Sequence, residues 1–244
     1  MVGLMSQHPW KHSIVDVYAN NYGNVVQDYL ELVVQPSLIA LGRRRDELIE
    51  RTDIDDFIKS LHAFDHFVLE QRTAMTFCLG IQSLWEQQIR TYVTGCVRQF
   101  STPSVPNEQA PDSIGKEIEK AEKTLWGEDF NKLFLKVRGL ELPQFQSYPQ
   151  IDLLMLLGNV CRHGEGRAAR TLRKRNPELW PDSQPLFEEH FGVRPVTDIR
   201  LSFELLLSLV DAVVLFWRDL ERHCLRTFMT VDEAEARLSN KIRD

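Results

Sequence analysis

The chain is short of the features that mark several common protein classes. Its 244 residues hold only four cysteines, Cys78, Cys96, Cys161 and Cys224, widely spaced and without a C-x-x-C pair. That excludes a disulfide framework or a zinc site built on paired cysteines, and predicts buried thiols in a reducing compartment. No apolar core of signal-peptide length follows Met1. The most apolar window, 201–217, is interrupted by Glu204 and Asp211, so no membrane span is expected and a cytoplasmic location is. Strand-like alternation of apolar and polar residues is missing, as are internal repeats. So are the G-x-x-x-x-G-K, H-E-x-x-H and G-x-S-x-G motifs. Positive charge is not in excess either: a formal net charge of -6 argues against indiscriminate coating of nucleic acid but leaves room for a local basic patch.

What is present reads as helix. Hydrophobic residues make up 43% of the chain and charged residues 26%, enough to bury a core, and the apolar positions recur at three- and four-residue spacing. The pattern predicts an all-α protein, a bundle of about four to five long helices with an N-terminal helical extension. One helix is expected over 13–34, ended by Pro36, and a second to about Glu50. A third should be capped by Thr52, with Asp53, Asp55 and Asp56 in its first turn. From about Arg72 to Gln99, Ala74, Phe77, Cys78, Ile81, Leu84, Trp85, Ile89, Tyr92 and Val93 form an apolar stripe, with Gln82, Glu86 and Arg90 assigned to the polar side. Residues 101–113, with three prolines, read as a linker. Charged helices follow, broken at Gly127, then a loop over 139–149 and the apolar helix IDLLMLLGNVCRH. Prolines 177, 181, 185 and 195 mark an irregular excursion, after which Thr197 caps a last long helix to about Phe228. The expected division is an extension over 1–71 and a bundle over 72–244.

Chemistry concentrates in Gly158-Asn159-Val160-Cys161-Arg162-His163-Gly164-Glu165-Gly166 and the RAARTLRKR that follows. Asn159 and His163 are four residues apart and share a helix face. An imidazole moves protons near neutral pH, and a nearby carboxamide can orient it or a substrate. Between Arg162 and Arg175 lie six Lys or Arg residues against one Glu, a local patch suited to phosphate. The same residues also suit a helix C-terminus, where His and Arg complement the dipole and glycine ends the helix. His62, His66 and Glu70 share a face that two imidazoles and a carboxylate could offer a metal, and His8 and His12 are weaker candidates. No Glu-x-x-His accompanies them, and neither a metal nor a cofactor is expected. GEGRAA matches a dinucleotide fingerprint in letters, but that fingerprint needs a preceding strand. Trp10, Trp126 and Trp180 each stand alone and read as packing anchors.

The segment resembles the signature of HEPN domains, small all-α bundles with an R-N-x-x-x-H motif. Asn159, Arg162, His163, Gly164, Glu165, Gly166 and then Pro177, Glu178, Leu179 and Trp180 are similar to a bacterial HEPN-like subgroup, and Leu84 to Arg90 resembles the preceding core helix with its acidic position at Glu86. The likeness covers roughly 72–226. It implies a metal-independent endoribonuclease of a defence or toxin–antitoxin system, working as a homodimer with two motifs in one groove and with RNA, a protein partner or an antitoxin as ligand. His163, Asn159, Arg162 and Glu86 would be catalytic, and Arg167, Arg170, Arg173, Lys174 and Arg175 would hold phosphate. The family arginine has no counterpart: its place falls at Gly158, or just upstream at Leu157 or Leu156, none of which can stabilise a phosphate, and Arg162 lies about 100° round the helix from His163. HEPN domains without catalysis serve as binding or regulatory modules, the alternative reading. Glu86 and Arg90 also have the i,i+4 order of an ordinary ion pair.

Overall fold

A computed structural model describes residues 10, 13–19, 21–101, 110–180, 192, 194–227 and 229–241. Among them there is no strand, and no helix is long and apolar enough to cross a membrane. The helices are α1 Val15–Ala19, α2 Tyr22–Tyr29, α3 Gln35–Glu50, α4 Asp56–Ser101, α5 Ala110–Lys123, α6 Glu128–Arg138, α7 Tyr148–His163, α8 Arg167–Arg175, α9 Phe203–Leu225 and α10 Val231–Lys241.

Several helix ends differ from the sequence reading. Pro36 does not end a helix; Leu30–Val34 form a π turn that runs straight into α3. A proline ring clashes with the carbonyl four residues back and has no N–H to give, and a widened turn relieves both. Asp55, not Thr52, caps α4: its Oδ1 accepts from Phe57 N at 2.8 Å. The third predicted helix and the core helix from Arg72 are one 46-residue helix, since nothing between them breaks the pattern. Ser202 rather than Thr197 caps α9, its Oγ accepting from Leu205 N, while Val196–Asp198 make a 3-10 turn. Within the expected linker, Ser101 ends α4 and 110–113 already belong to α5; residues 102–109 lie outside those described, as do Pro181, Pro185, His8 and His12. Helix α10, absent from the sequence reading, starts in a capping box: Glu233 N donates to Thr230 Oγ1, and Thr230 N to Glu233 Oε2.

The chain forms two compact units, each gathered from separate stretches: 1–25, 85–149 and 212–244 in the first, 26–84 and 150–211 in the second. The first is centred on aromatic packing. Trp85 meets Phe216 edge-on at 4.9 Å, and Phe145 lies 4.7 Å from Phe216. Trp217 Nε1 donates to Gln88 Oε1, and Gln88 Nε2 to the Tyr22 carbonyl, so the polar atoms of these two buried side chains are satisfied. Beside this core, the fully buried Arg138 donates from Nη2 to both Asp16 oxygens at 3.0 Å. Tyr92 Oη adds a 2.6 Å bond to Asp16, and the guanidinium lies 3.9 Å from the Trp10 ring. Helix α6 ends at Gly139, which takes φ 79° and donates to Leu135 O, the left-handed stop that glycine adopts without strain.

The second unit buries Leu30, Val34, Cys78 and Ile81 together with Ile151, Leu154, Leu157 and Val160 of α7, Leu172 of α8, and Leu206 and Leu209 of α9. Fully burying each of these aliphatic side chains stabilises the fold by about 1.5–3 kcal/mol. Its helices also meet at glycines. A Cβ on Gly158 would stand 2.5 Å from Gln82 Cγ and 2.7 Å from Gln82 Cβ, so α7 crosses α4 here more closely than any side chain permits.

Candidate functional site

The site is the corner between α7 and α8, in the second unit. Helix α7 stops at His163 because Gly164 turns to φ +66° and donates to the Val160 carbonyl at 2.8 Å. That leaves Arg162 and His163 in the last turn, where the helix dipole favours cations. His163 is exposed, and no described residue hydrogen-bonds its ring. Asn159, one turn back, is half-buried, and its carboxamide is likewise without a described partner. Arg162 is held differently: its Nη2 donates to Gln82 Oε1 at 3.1 Å.

Gln82 is the residue the sequence reading misplaced. Assigned to the polar side of its helix, it is 1% exposed, with Nε2 3.8 Å from Met155 Sδ. The signal was present: Gln82 stands at i+4 from Cys78 and three residues before Trp85, inside the apolar stripe. It packs against Gly158 on one side and holds Arg162 on the other. The position where the resemblance expects an arginine is therefore filled by the Gln82 side chain, and its neighbour Leu157 is fully buried.

The turn 164–166 is tied down by Glu165. Its Oε1 accepts from Arg173 Nη2 at 2.6 Å and from Val196 N at 2.8 Å, and the Arg173 hydrogen bond, the larger cause, holds its carboxyl below the usual glutamate range. Helix α8 then sorts its cations into two groups. Arg173 also donates to the Arg194 carbonyl and lies 5.3 Å from the Trp180 ring, whose Nε1 donates to Pro195 O. Arg175 pairs with Asp152 at 2.7 Å. Both are engaged in holding the unit together. Arg167, Arg170 and Lys174, at i, i+3 and i+7, share one exposed face and have no described side-chain partner. This follows from the amphipathic pattern: Ala169 and Leu172 face inward and are fully buried. What the corner offers is an accessible imidazole followed by three un-neutralised cations. A polyanion with spaced charges fits that combination, whereas a lone carboxylate would use little of it.

Glu86 belongs to the first unit. It accepts from Arg90 at 2.8 and 3.1 Å, and Arg90 donates onward to the carbonyls of Glu122 and Thr124. This is the i,i+4 pair of the simpler reading, fastened to the end of α5. The tryptophans act as packing groups: Trp10 and Trp180 are buried, and Trp126 lies against Trp85, Phe130 and Tyr148. Among the described residues no group of three or more His, Cys, Asp or Glu could hold a metal; Glu70 of the His62, His66 and Glu70 trio is bound by Arg45 at 2.7 Å.

No family model, curated protein or solved structure matches the chain.

Proposed function

We propose that the protein is a HEPN-like helical bundle with an N-terminal extension, acting in a bacterial defence or toxin–antitoxin system, that binds RNA phosphates at the α7–α8 corner. In this reading His163 serves as the proton-transfer group of metal-independent cleavage. The observation that carries it is the exposed face of Arg167, Arg170 and Lys174 directly after an exposed His163. Three cations left without carboxylates on a chain of net charge -6 are suited to neutralising successive phosphates. The imidazole takes the proton of a ribose 2′-hydroxyl as it attacks the adjacent phosphorus, and the 5′-oxygen leaves. Asn159 orients the ring or the ribose. Arg162 supplies charge to the phosphoryl oxygens once it exchanges Gln82 for the substrate. A homodimer that faces two such corners across one groove completes the site.

The test is cleavage of single-stranded RNA by the purified chain with a chelator present. Cleavage that survives chelation and is lost in His163→Ala supports the reading; undiminished cleavage by His163→Ala overturns it.

A second reading, a catalytically silent module that binds RNA, a nucleotide or a protein partner, is favoured by one observation. The close approach of Gln82 to Gly158 leaves no room for the arginine of the family motif. It predicts salt-dependent RNA binding without cleavage. Replacing Arg167, Arg170 and Lys174 together by Glu would then abolish binding, while replacing any one of them by Ala would weaken it and flatten the slope of log affinity against log salt by about 0.7.

A further inference from the structure

Helices α5 and α6 are joined by the short turn 124–127, and with the last turns of α4 they line a groove of about 1120 Å³ within the first unit. Arg90 of α4 holds the turn end by donating to the carbonyls of Glu122 and Thr124. Toward the other end, Lys136 Nζ of α6 reaches Glu117 Oε1 of α5 at 3.5 Å. The floor is apolar: Val97, Ala121 and Val137, one from each helix, are buried, and Leu133 is half-buried beside them. Phe100 and Leu125 also line the groove and leave 39% and 76% of their surface uncovered. The walls are cationic. Lys116, Lys120 and Lys123 stand at i, i+4 and i+7 on α5, and Lys132 and Lys136 at i and i+4 on α6, against the carboxylates of Glu117 and Asp129. Lys123 and Lys132 pair with Glu119 and Glu128, in exposed i,i+4 contacts that a ligand displaces at little cost. Lys116 and Lys120 are exposed and have no described side-chain partner.

We propose that this groove binds a single-chain amphiphile with an anionic head, an alkyl or acyl phosphate, its chain lying along the apolar floor and its phosphate among the lysines. The two halves of the groove ask for the two halves of such a molecule. An apolar floor removes methylenes from water, and lysine ammonium groups bind phosphate as point charges while their stems cover the chain beneath them. From Asp129 to Val137 the α6 wall runs about 12 Å, the length of an extended chain of about ten carbons. Other occupants use less of it. Inorganic phosphate would meet the walls and leave the floor wet, and a neutral hydrocarbon would leave the lysines unused. A bilayer surface is flat and would meet the rims, but not Val97, Ala121 and Val137, which are only 2–6% exposed. A nucleic-acid strand needs faces on which bases stack, and Phe100 is the one aromatic ring in the lining. The site lies in the first unit and the α7–α8 corner in the second, so it does not rest on the reading of that corner.

The experiment titrates the purified full chain calorimetrically with decyl phosphate below its micelle concentration. The expected result is one saturable site whose affinity rises about two- to fourfold with each methylene added from octyl to decyl phosphate and falls with added salt. Inorganic phosphate and decyltrimethylammonium, which carry the head alone and the chain with the opposite charge, should each bind at least about tenfold more weakly. Lys116→Glu combined with Lys120→Glu should weaken decyl phosphate by at least about tenfold, and Leu125→Asp should weaken it as well. All three positions are exposed, so the urea midpoint should stay that of the parent. Acetylation of lysines read by mass spectrometry should show decyl phosphate protecting Lys116, Lys120 and Lys136 but not Lys174. Single-stranded RNA should not displace the amphiphile, and the chain with Arg167, Arg170 and Lys174 replaced by Glu should bind it like the parent, which separates this site from the corner. Equal affinity for decyltrimethylammonium overturns the proposal, as does undiminished binding in the Lys116→Glu, Lys120→Glu chain. Binding to phosphatidylglycerol vesicles that is tighter than binding to decyl phosphate overturns it in favour of a membrane surface.

Discussion

Gly158→Ala tests the central packing claim, because alanine is ordinarily the better helix residue. In an unobstructed helix interior the change stabilises by about 0.5–1 kcal/mol. At Gly158 the new methyl would stand 2.5 Å from Gln82 Cγ, 2.7 Å from Cβ and 2.8 Å from Cδ. The Cβ belongs to the root of that side chain, so rotating the amide away does not relieve the clash; the helices must separate. Inserting a methyl into a packed contact costs about 1–3 kcal/mol. Displacing Gln82 also removes its bond to Arg162, worth about 1 kcal/mol more. The sum favours destabilisation by about 1–3 kcal/mol, opposite in sign to the propensity. The assay is urea unfolding followed by circular dichroism, where the midpoint should fall with the slope unchanged. Gly42→Ala is the internal control: it sits mid-helix in α3 with nothing within 4 Å of the added Cβ, and should stabilise by about 0.5–1 kcal/mol. A Gly158→Ala chain as stable as the parent would refute the close crossing.

Asp16→Ala should cost about 3–5 kcal/mol, because it strands the fully buried Arg138 without its carboxylate; calorimetry or urea unfolding measures this. His163→Ala, at an exposed side chain without a described partner, should change stability by less than about 0.5 kcal/mol, so any loss of RNA binding or cleavage in it is functional. Glu165 gives a pH dependence. Its folded pKa is depressed by Arg173, so its contribution is present above the unfolded glutamate pKa and is lost as pH falls through the folded value. Acid unfolding of Glu165→Gln should lack that component, and salt should weaken it in the parent, since the carboxylate is 57% exposed.

Much of the fold is legible in the residues because helix signals are local. The apolar stripe of α4, the stop at Gly164 and the break at Gly127 follow from spacing, left-handed glycine and capping chemistry, and the structure has each of them. The errors share a cause. Pro36 breaks a helix only where the geometry on both sides is α, and the π turn Leu30–Val34 changes that premise. Thr52 and Thr197 are good cap residues, but a cap depends on where the chain turns. Asp55 and Ser202 are the ones whose oxygens reach the N–H groups. Gln82 was assigned by polarity when its position in the stripe already placed it inside.

The sequence by itself determined helicity, the candidate imidazole and carboxamide one turn apart, and the cluster of cations after Gly166, because each depends on neighbours within about one or two helical turns. The tertiary structure alone decided which of those cations are spoken for. Arg162, Arg173 and Arg175 take partners at positions 82, 165, 194 and 152, leaving Arg167, Arg170 and Lys174 to the solvent. It alone decided that Gly158 is a contact and not a gap in a motif. Helix periodicity says which residues face inward; only the crossing of two helices says what they face.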